Sequence, residues 1–153
     1  MSNSDWQTWF QNAKEHLAIA KAAMNAGLDE VAYEKAVYSG ECALKAVLIK
    51  DGSFTRGDWT HNQEDILAKI KSRGLLNPTT LSQVEDIITD KDGADGLSWV
   101  DLTVGVSHQD CPHVQQTRYP TDDHTSYEML RAGNAKEKIL LADRLIKVLD
   151  GNF

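Results

Sequence analysis

Apolar residues recur at helical spacing along much of this chain, most regularly from Asp29 to Lys50. Within this stretch two sets of residues alternate at steps of three and four, which places each set on one helical face. One set is mostly bulky and the other is small: Tyr33, Val37, Gly40, Leu44 and Val47, and then Ala32, Ala36, Ser39 and Ala43. A helix with two such faces is typical of the centre of a bundle, where it is buried on more than one side.

The preceding stretch predicts a partner helix. Ser4 and Gln7 have the form of a capping box that opens a helix at about Asp5, and Gly27 is a good stop. The apolar seam between them comprises Trp6, Phe10, Ala13, Leu17, Ala20 and Met24. Asp29 is the predicted cap of the central helix. Because the intervening turn is very short, we expect the two helices to form an antiparallel hairpin.

Two shorter helices are predicted after the central helix, which should end at Asp51-Gly52-Ser53. Asn62 is a plausible cap for the first of them, and Gly74 stops it. Pro78-Thr79-Thr80 opens the second.

A last helix is predicted from Thr125 to about Leu149, behind a capping box of Thr125 and Glu128. From Thr89 to about His124 no helical period survives, and a loop of this length usually has a function or is mobile. The sequence therefore predicts an all-α, up-and-down bundle of four or five helices with a long irregular loop before the last one.

Length and charge limit the function. The 153 residues are expected to form a single domain, 1–153, with one sizeable core. The formal net charge is −7, whereas nonspecific nucleic-acid binding needs a basic face. Any nucleic-acid contact is therefore expected to be local, or assisted by a partner. With no apolar run near the ~20 residues of a membrane span and no signal-peptide pattern, we expect a cytoplasmic protein without membrane contact.

The sharpest candidate chemistry lies between Arg118 and His124, directly before the last helix. An arginine is a permanently charged, bidentate fork for phosphate, and a histidine exchanges protons near neutral pH. With the free amides of the helix end, these two residues could hold a phosphate or cleave RNA through a ribose 2′-hydroxyl. Alternatively, Arg118 pairs with a core carboxylate such as Glu41 and pins the loop.

Other polar residues admit two interpretations each. Glu41 and Lys45, four apart, form either a surface salt bridge or a pair in which one member faces the Arg118 loop. His61 either caps or packs the short helix, or has a functional role. His16 is expected to be partly exposed on a helix flank rather than a ligand.

Two loop clusters resemble metal sites only faintly. Residues 90–96 are acidic and glycine-rich but lack the distal glutamate of a calcium loop. His108, Cys111 and His113 offer zinc-type ligands at a spacing that matches no common zinc site. We therefore expect neither a metal nor a cofactor.

Three motifs occur in an order that resembles the HEPN family of helical-bundle domains: residues 40–46 (GECALKA), His61 with Leu67, and Thr117-Arg118-Tyr119-Pro120. The resemblance implies a nucleotide or RNA transaction and a homodimer, for which the small-residue face of the central helix offers one close-packing surface. In RNase members of the family the catalytic motif is an arginine, four to six intervening residues and a histidine, and five residues separate Arg118 from His124. The Thr-Arg-Tyr-Pro motif resembles a subgroup associated with nucleotide binding and nucleotidyltransferase partners.

Two functions follow as hypotheses. The first is a module that binds a nucleotide, phosphate group or RNA beside a partner such as a nucleotidyltransferase, with Arg118, Tyr119, His61 and Lys45 as candidate binding residues. The second is a metal-independent RNase of toxin or defence type that uses Arg118 and His124. A scaffolding role is a third alternative.

Overall fold

The computed structural model describes residues 5–58, 60–89, 96–97 and 132–153. This part of the chain contains five α-helices and a short 3₁₀ helix: α1 (Asp5–Asn25), α2 (Asp29–Asp51), the 3₁₀ helix (Arg56–Asp58), α3 (Gln63–Ser72), α4 (Pro78–Ile88) and α5 (Ala132–Asp150). No strand occurs among these residues. The predicted all-α bundle is confirmed.

The central position of α2 follows from its neighbours. It packs most extensively against α1 and also contacts α5 and α3. Both sets of residues predicted to line its faces are buried, as is the α1 seam from Phe10 to Ala20. No helix of the described segments is long and apolar enough to cross a membrane.

The small-residue face of α2 is used inside the protein. Ser39 Oγ donates a hydrogen bond to the carbonyl oxygen of Ala13 at 2.7 Å, so the α1 and α2 backbones approach closely there. Ala32, Ala36 and Ala43 on the same face are fully buried. The suggestion that this face serves a homodimer is therefore wrong, because α1 of the same chain needs the room that small side chains leave.

The predicted helix stops are confirmed. Gly27, Gly52 and Gly74 follow α1, α2 and α3 with φ angles of 76°, 78° and 65°, in the left-handed region that favours glycine. Asn62 caps α3 as predicted, since its side-chain oxygen accepts from the backbone N–H groups of Glu64 and Asp65.

The predicted cap of α2 is wrong. Leu28 occupies the N-cap position without a side-chain cap, and Asp29 is the first helical residue. The reason is the tight turn: the Leu28 amide donates to the Ala23 carbonyl at 2.8 Å, while its own carbonyl accepts from the Ala32 amide at 2.9 Å. Leu28 thus ends one helix and begins the next, leaving Asp29 beside the positive helix end.

The predicted loop between Thr89 and His124 lies outside the described residues except for positions 89, 96 and 97. The capping box of Thr125 and Glu128 also lies outside them. Leu97, one of the described positions, is fully buried against the bundle.

A buried carboxylate fixes the connector between α2 and α3. Asp58 accepts from the Thr55 amide at 2.8 Å and from both terminal nitrogens of Arg73, at 2.9 and 3.2 Å. The Lys69 ammonium lies 3.3 Å away. The Arg73 hydrogen bonds, above all, hold the pKa of Asp58 well below its ordinary value. The connector, and with it the start of α3, is therefore held by charge-assisted bonds.

Asp58→Asn should lower the free energy of unfolding by ~1.5–3 kcal/mol, the range for hydrogen bonds to charged groups. Since the pKa of Asp58 is depressed in the folded state, this stabilisation is present above its ordinary value of 3.8 and is lost as the pH falls through the depressed value. Urea unfolding at pH 7 and pH 3 measures both effects. Equal stability of the variant and wild type at pH 7 would contradict the assignment; Glu15→Gln, at an exposed position of α1, is the control.

Gly40 permits a close approach of two buried side chains to α2. A Cβ atom at this position would lie 2.6 Å from Leu97 Cδ2 and about 3.0 Å from the Gln63 side-chain amide. Leu97 and Gln63 are both buried, and Gln63 Nε2 donates to the Val37 carbonyl at 2.8 Å. Neither neighbour has free room to withdraw.

Gly40→Ala is therefore expected to destabilise the protein by ~1–3 kcal/mol through overpacking, less the ~1 kcal/mol that alanine gains in a helix. Thermal unfolding measures the difference. Gly151→Ala is the matched control, because a Cβ there meets nothing within 4 Å. A Gly40→Ala variant more stable than wild type would show that the contact is not tight.

Candidate functional site

The middle of α2 carries a carboxylate buried inside the bundle. Glu41 is 4% exposed, and its Oε2 atom accepts from Lys45 Nζ at 3.1 Å. Its Oε1 atom lies 3.1 Å from Nδ1 of His61. The predicted salt bridge between Glu41 and Lys45 is thus present, but its predicted place on the surface is wrong, because both partners are buried.

The surroundings of Lys45 explain its burial. The residue is 1% exposed, and its ammonium lies 5.6 Å from the centre of the Trp9 ring on α1. The aromatic face and the Glu41 carboxylate together replace water around the ammonium. Lys45 therefore supplies positive charge from within the bundle.

His61 links this buried pair to solvent. Its side chain is 45% exposed, and Asn62, which follows it, caps α3 and so fixes the position of residue 61. A carboxylate can only accept, so Nδ1 of His61 carries the proton, and Nε2 is the ring's other polar atom. The hydrogen bond to Glu41 raises the pKa of His61 above its ordinary value. The imidazole therefore keeps its proton to higher pH than a free histidine.

The charges of this cluster favour an anion. With His61 protonated, one negative charge on Glu41 and two positive charges on Lys45 and His61 leave a net charge of +1. With His61 neutral the net charge is zero. The cluster of Glu41, Lys45 and His61, called the α2 cluster below, can therefore attract an anion and exchange a proton near neutral pH.

Aromatic rings lie on both sides of the α2 cluster. Towards the N-terminus of α2, the rings of Tyr38 and His16 stack with centres 5.9 Å apart and an angle of 28°. Towards its C-terminus lies Trp9. His16 is partly buried on the helix flank, as predicted, and burial is the main cause that lowers its pKa.

Sequence reasoning missed Tyr38 and Trp9 as neighbours of the cluster. Tyr38, Glu41 and Lys45 are spaced by three and four residues, so the signal for one shared helical face was present. Trp9 falls within the helix predicted from Asp5, but the register of α1 against α2 needs the structure.

A cavity of about 370 Å³ lies elsewhere, among the ends of α2, α3 and α5. Its two cations are already engaged: Arg73 binds Asp58, and Lys50 lies over the rings of Trp6 and Phe153. Cys42, beside Glu41, is buried, and its pKa is raised to about 12, so its thiol is inert at neutral pH. The α2 cluster is therefore the better candidate.

Several predicted site residues lie outside the described residues: Arg118, Tyr119, His124, and His108, Cys111 and His113. Of the predicted binding residues, the structure brings Lys45 and His61 together on Glu41. Within the described segments, no group of three or more histidine, cysteine, aspartate or glutamate side chains could hold a metal ion.

The chain is a helical-bundle domain built around one buried helix. A carboxylate with two cationic side chains lies near the middle of that helix. Comparison with known protein families matches residues 6–150 to the HEPN domain, and the chain belongs to the HEPN family. Comparisons with curated proteins and with solved structures gave no match.

Glu41→Gln should lower the pKa of His61 towards its ordinary value of 6.5, because the carboxylate is what raises it. It should also destabilise the fold by ~3–5 kcal/mol, the cost of breaking a buried ion pair. NMR titration of the imidazole and thermal unfolding test the two effects. Glu15→Gln, exposed on α1, is the control.

The sign of the pH dependence follows from the raised pKa. Protonated His61 stabilises the folded state below about pH 6.5, and this contribution is lost as the pH rises through the raised value. The stability difference between wild type and His61→Gln should therefore be larger at pH 6 than at pH 9. An unchanged His61 pKa in Glu41→Gln would contradict the interpretation of the α2 cluster.

Proposed function

We propose that this HEPN protein binds a nucleotide or a phosphate group of RNA, and that the α2 cluster forms part of the site. The observation that carries the proposal is the environment of His61. Its side chain is half exposed, and its Nδ1–H donates to the Glu41 carboxylate, which orients the imidazole ring. A protonated imidazole donates a charge-assisted hydrogen bond to a phosphate oxygen. Lys45 adds a positive charge that is buried beneath the surface.

The distribution of charge supports a local site. Most lysines and arginines of the described segments already pair with carboxylates: Lys14, Lys21, Lys45, Lys69, Lys71, Arg73 and Lys147. With a net charge of −7, the protein lacks the broad basic surface that nonspecific binding requires. Binding must then depend on a few well-placed groups.

Arg118 and Tyr119 complete the proposed site from sequence. Arg118 offers the bidentate phosphate fork that neither His61 nor Lys45 provides. In this proposal the chain acts as a homodimer and beside a partner protein of nucleotidyltransferase type, as the Thr-Arg-Tyr-Pro motif suggests. A partner would also supply the basic surface that this chain lacks.

Arg118→Ala and His61→Gln should each weaken binding by ~1.5–3 kcal/mol, the value of a charge-assisted hydrogen bond. His124→Ala should weaken it much less. Calorimetry with AMP and fluorescence anisotropy with a labelled ten-nucleotide uridine RNA, both at pH 6.5, measure the change.

Lys50→Gln is the matched control, since it removes a cation of α2 that lies over Trp6 and Phe153, away from the α2 cluster. Its affinities should equal those of wild type. If wild-type protein binds neither AMP nor the RNA, the proposed function is wrong.

A metal-independent RNase is the second candidate, favoured by the spacing of Arg118 and His124. In that case purified wild-type protein cleaves the uridine RNA in the presence of a chelator. Arg118→Ala and His124→Ala would then each abolish cleavage with little change in the thermal midpoint. Arrest of growth on overexpression would point the same way, whereas a binding module should not be toxic.

A further inference from the structure

We infer that Tyr38 and His16 form a stacking subsite for an unpaired nucleobase, directly beside the α2 cluster. The inference rests on the proposed function and deepens it, because it identifies the ligand as a nucleotide unit recognised through its base as well as its phosphate. It is carried by the stacked rings, by the helical register of α2 and by the Lys35 ammonium next to Tyr38.

The register of α2 places the rings and the charges together. Tyr38 and Glu41 are three residues apart on the same helical face, a rise of roughly 4.5 Å. His61 is bound to Glu41, so Tyr38 lies about one helical turn before the residue that holds the imidazole. A spacing of one helical turn along α2 suits the base and the phosphate of one nucleotide.

The stacked pair presents an aromatic surface rather than a second charge. Burial lowers the pKa of His16, with Lys35 as the next cause, so this ring is neutral at the pH where His61 is protonated. Both rings are partly exposed. A base–aromatic contact is tolerant of sequence, since every base has a π face.

Lys35 provides a positive charge beside the same ring. Its ammonium lies 5.8 Å from the centre of the Tyr38 ring, and among the described residues it has no carboxylate partner. In this proposal the flexible Lys35 side chain moves off the Tyr38 ring when a base stacks there. Its ammonium then faces the phosphate next to that base. At the far end of the cluster, Trp9 offers a further ring, already occupied by the Lys45 ammonium.

The test compares two ligands of equal charge: a six-nucleotide uridine RNA and the corresponding abasic ribose-phosphate hexamer. Wild-type protein should bind the uridine RNA more tightly. Tyr38→Leu should weaken uridine RNA binding roughly 5- to 150-fold, the measured range for loss of one base–aromatic stack. Its affinity for the abasic hexamer should stay the same, which also shows that the variant is folded.

Tyr38→Phe separates the ring from its hydroxyl and should retain most of the affinity for the uridine RNA. Equal binding of both hexamers by wild type, with no effect of Tyr38→Leu on either, overturns the stacking subsite and leaves the proposed phosphate site standing. Binding of neither hexamer overturns both. Loss of both ligands in Tyr38→Leu would assign Tyr38 to the support of the α2 cluster and also contradict the inference.

Discussion

A carboxylate buried in the middle of the central helix sets the conditions for the rest of this structure. Removing the charge of Glu41 from water costs several kcal/mol unless cations and hydrogen bonds replace the solvent. Lys45 supplies one cation from the next turn of α2, and His61 supplies a hydrogen bond from the start of α3. The carboxylate thus ties the central helix to the connector that follows it.

Each of the two partners needs its own support. Trp9 of α1 covers the Lys45 ammonium, which requires the α1–α2 hairpin to keep its register. The Ser39 hydrogen bond to Ala13 holds that register. His61 in turn depends on the Asn62 cap and on the Asp58–Arg73 pair, which together fix the start and the end of α3. Packing and charge therefore stabilise the same arrangement.

The sequence predicted the helices well because their signals are local. Apolar spacing marked both faces of α2, and Gly27, Gly52 and Gly74 marked the stops. It did not predict the burial of the Glu41–Lys45 pair, because a spacing of four residues looks the same on a buried face as on an exposed one. Burial depends on Trp9 and His61, which are distant in sequence, and their contacts with α2 follow only from the packing of three helices.

To bind a phosphate, as proposed here, an acidic protein must offset its own repulsion of the ligand. Long-range attraction is not available at a net charge of −7, so affinity has to come from short-range contacts. A single protonated imidazole over a buried ion pair provides charge at close range without a basic surface. An aromatic pair beside it adds contact that does not depend on charge. In the proposed function, such a combination favours a ligand that carries a base next to its phosphate over inorganic phosphate alone.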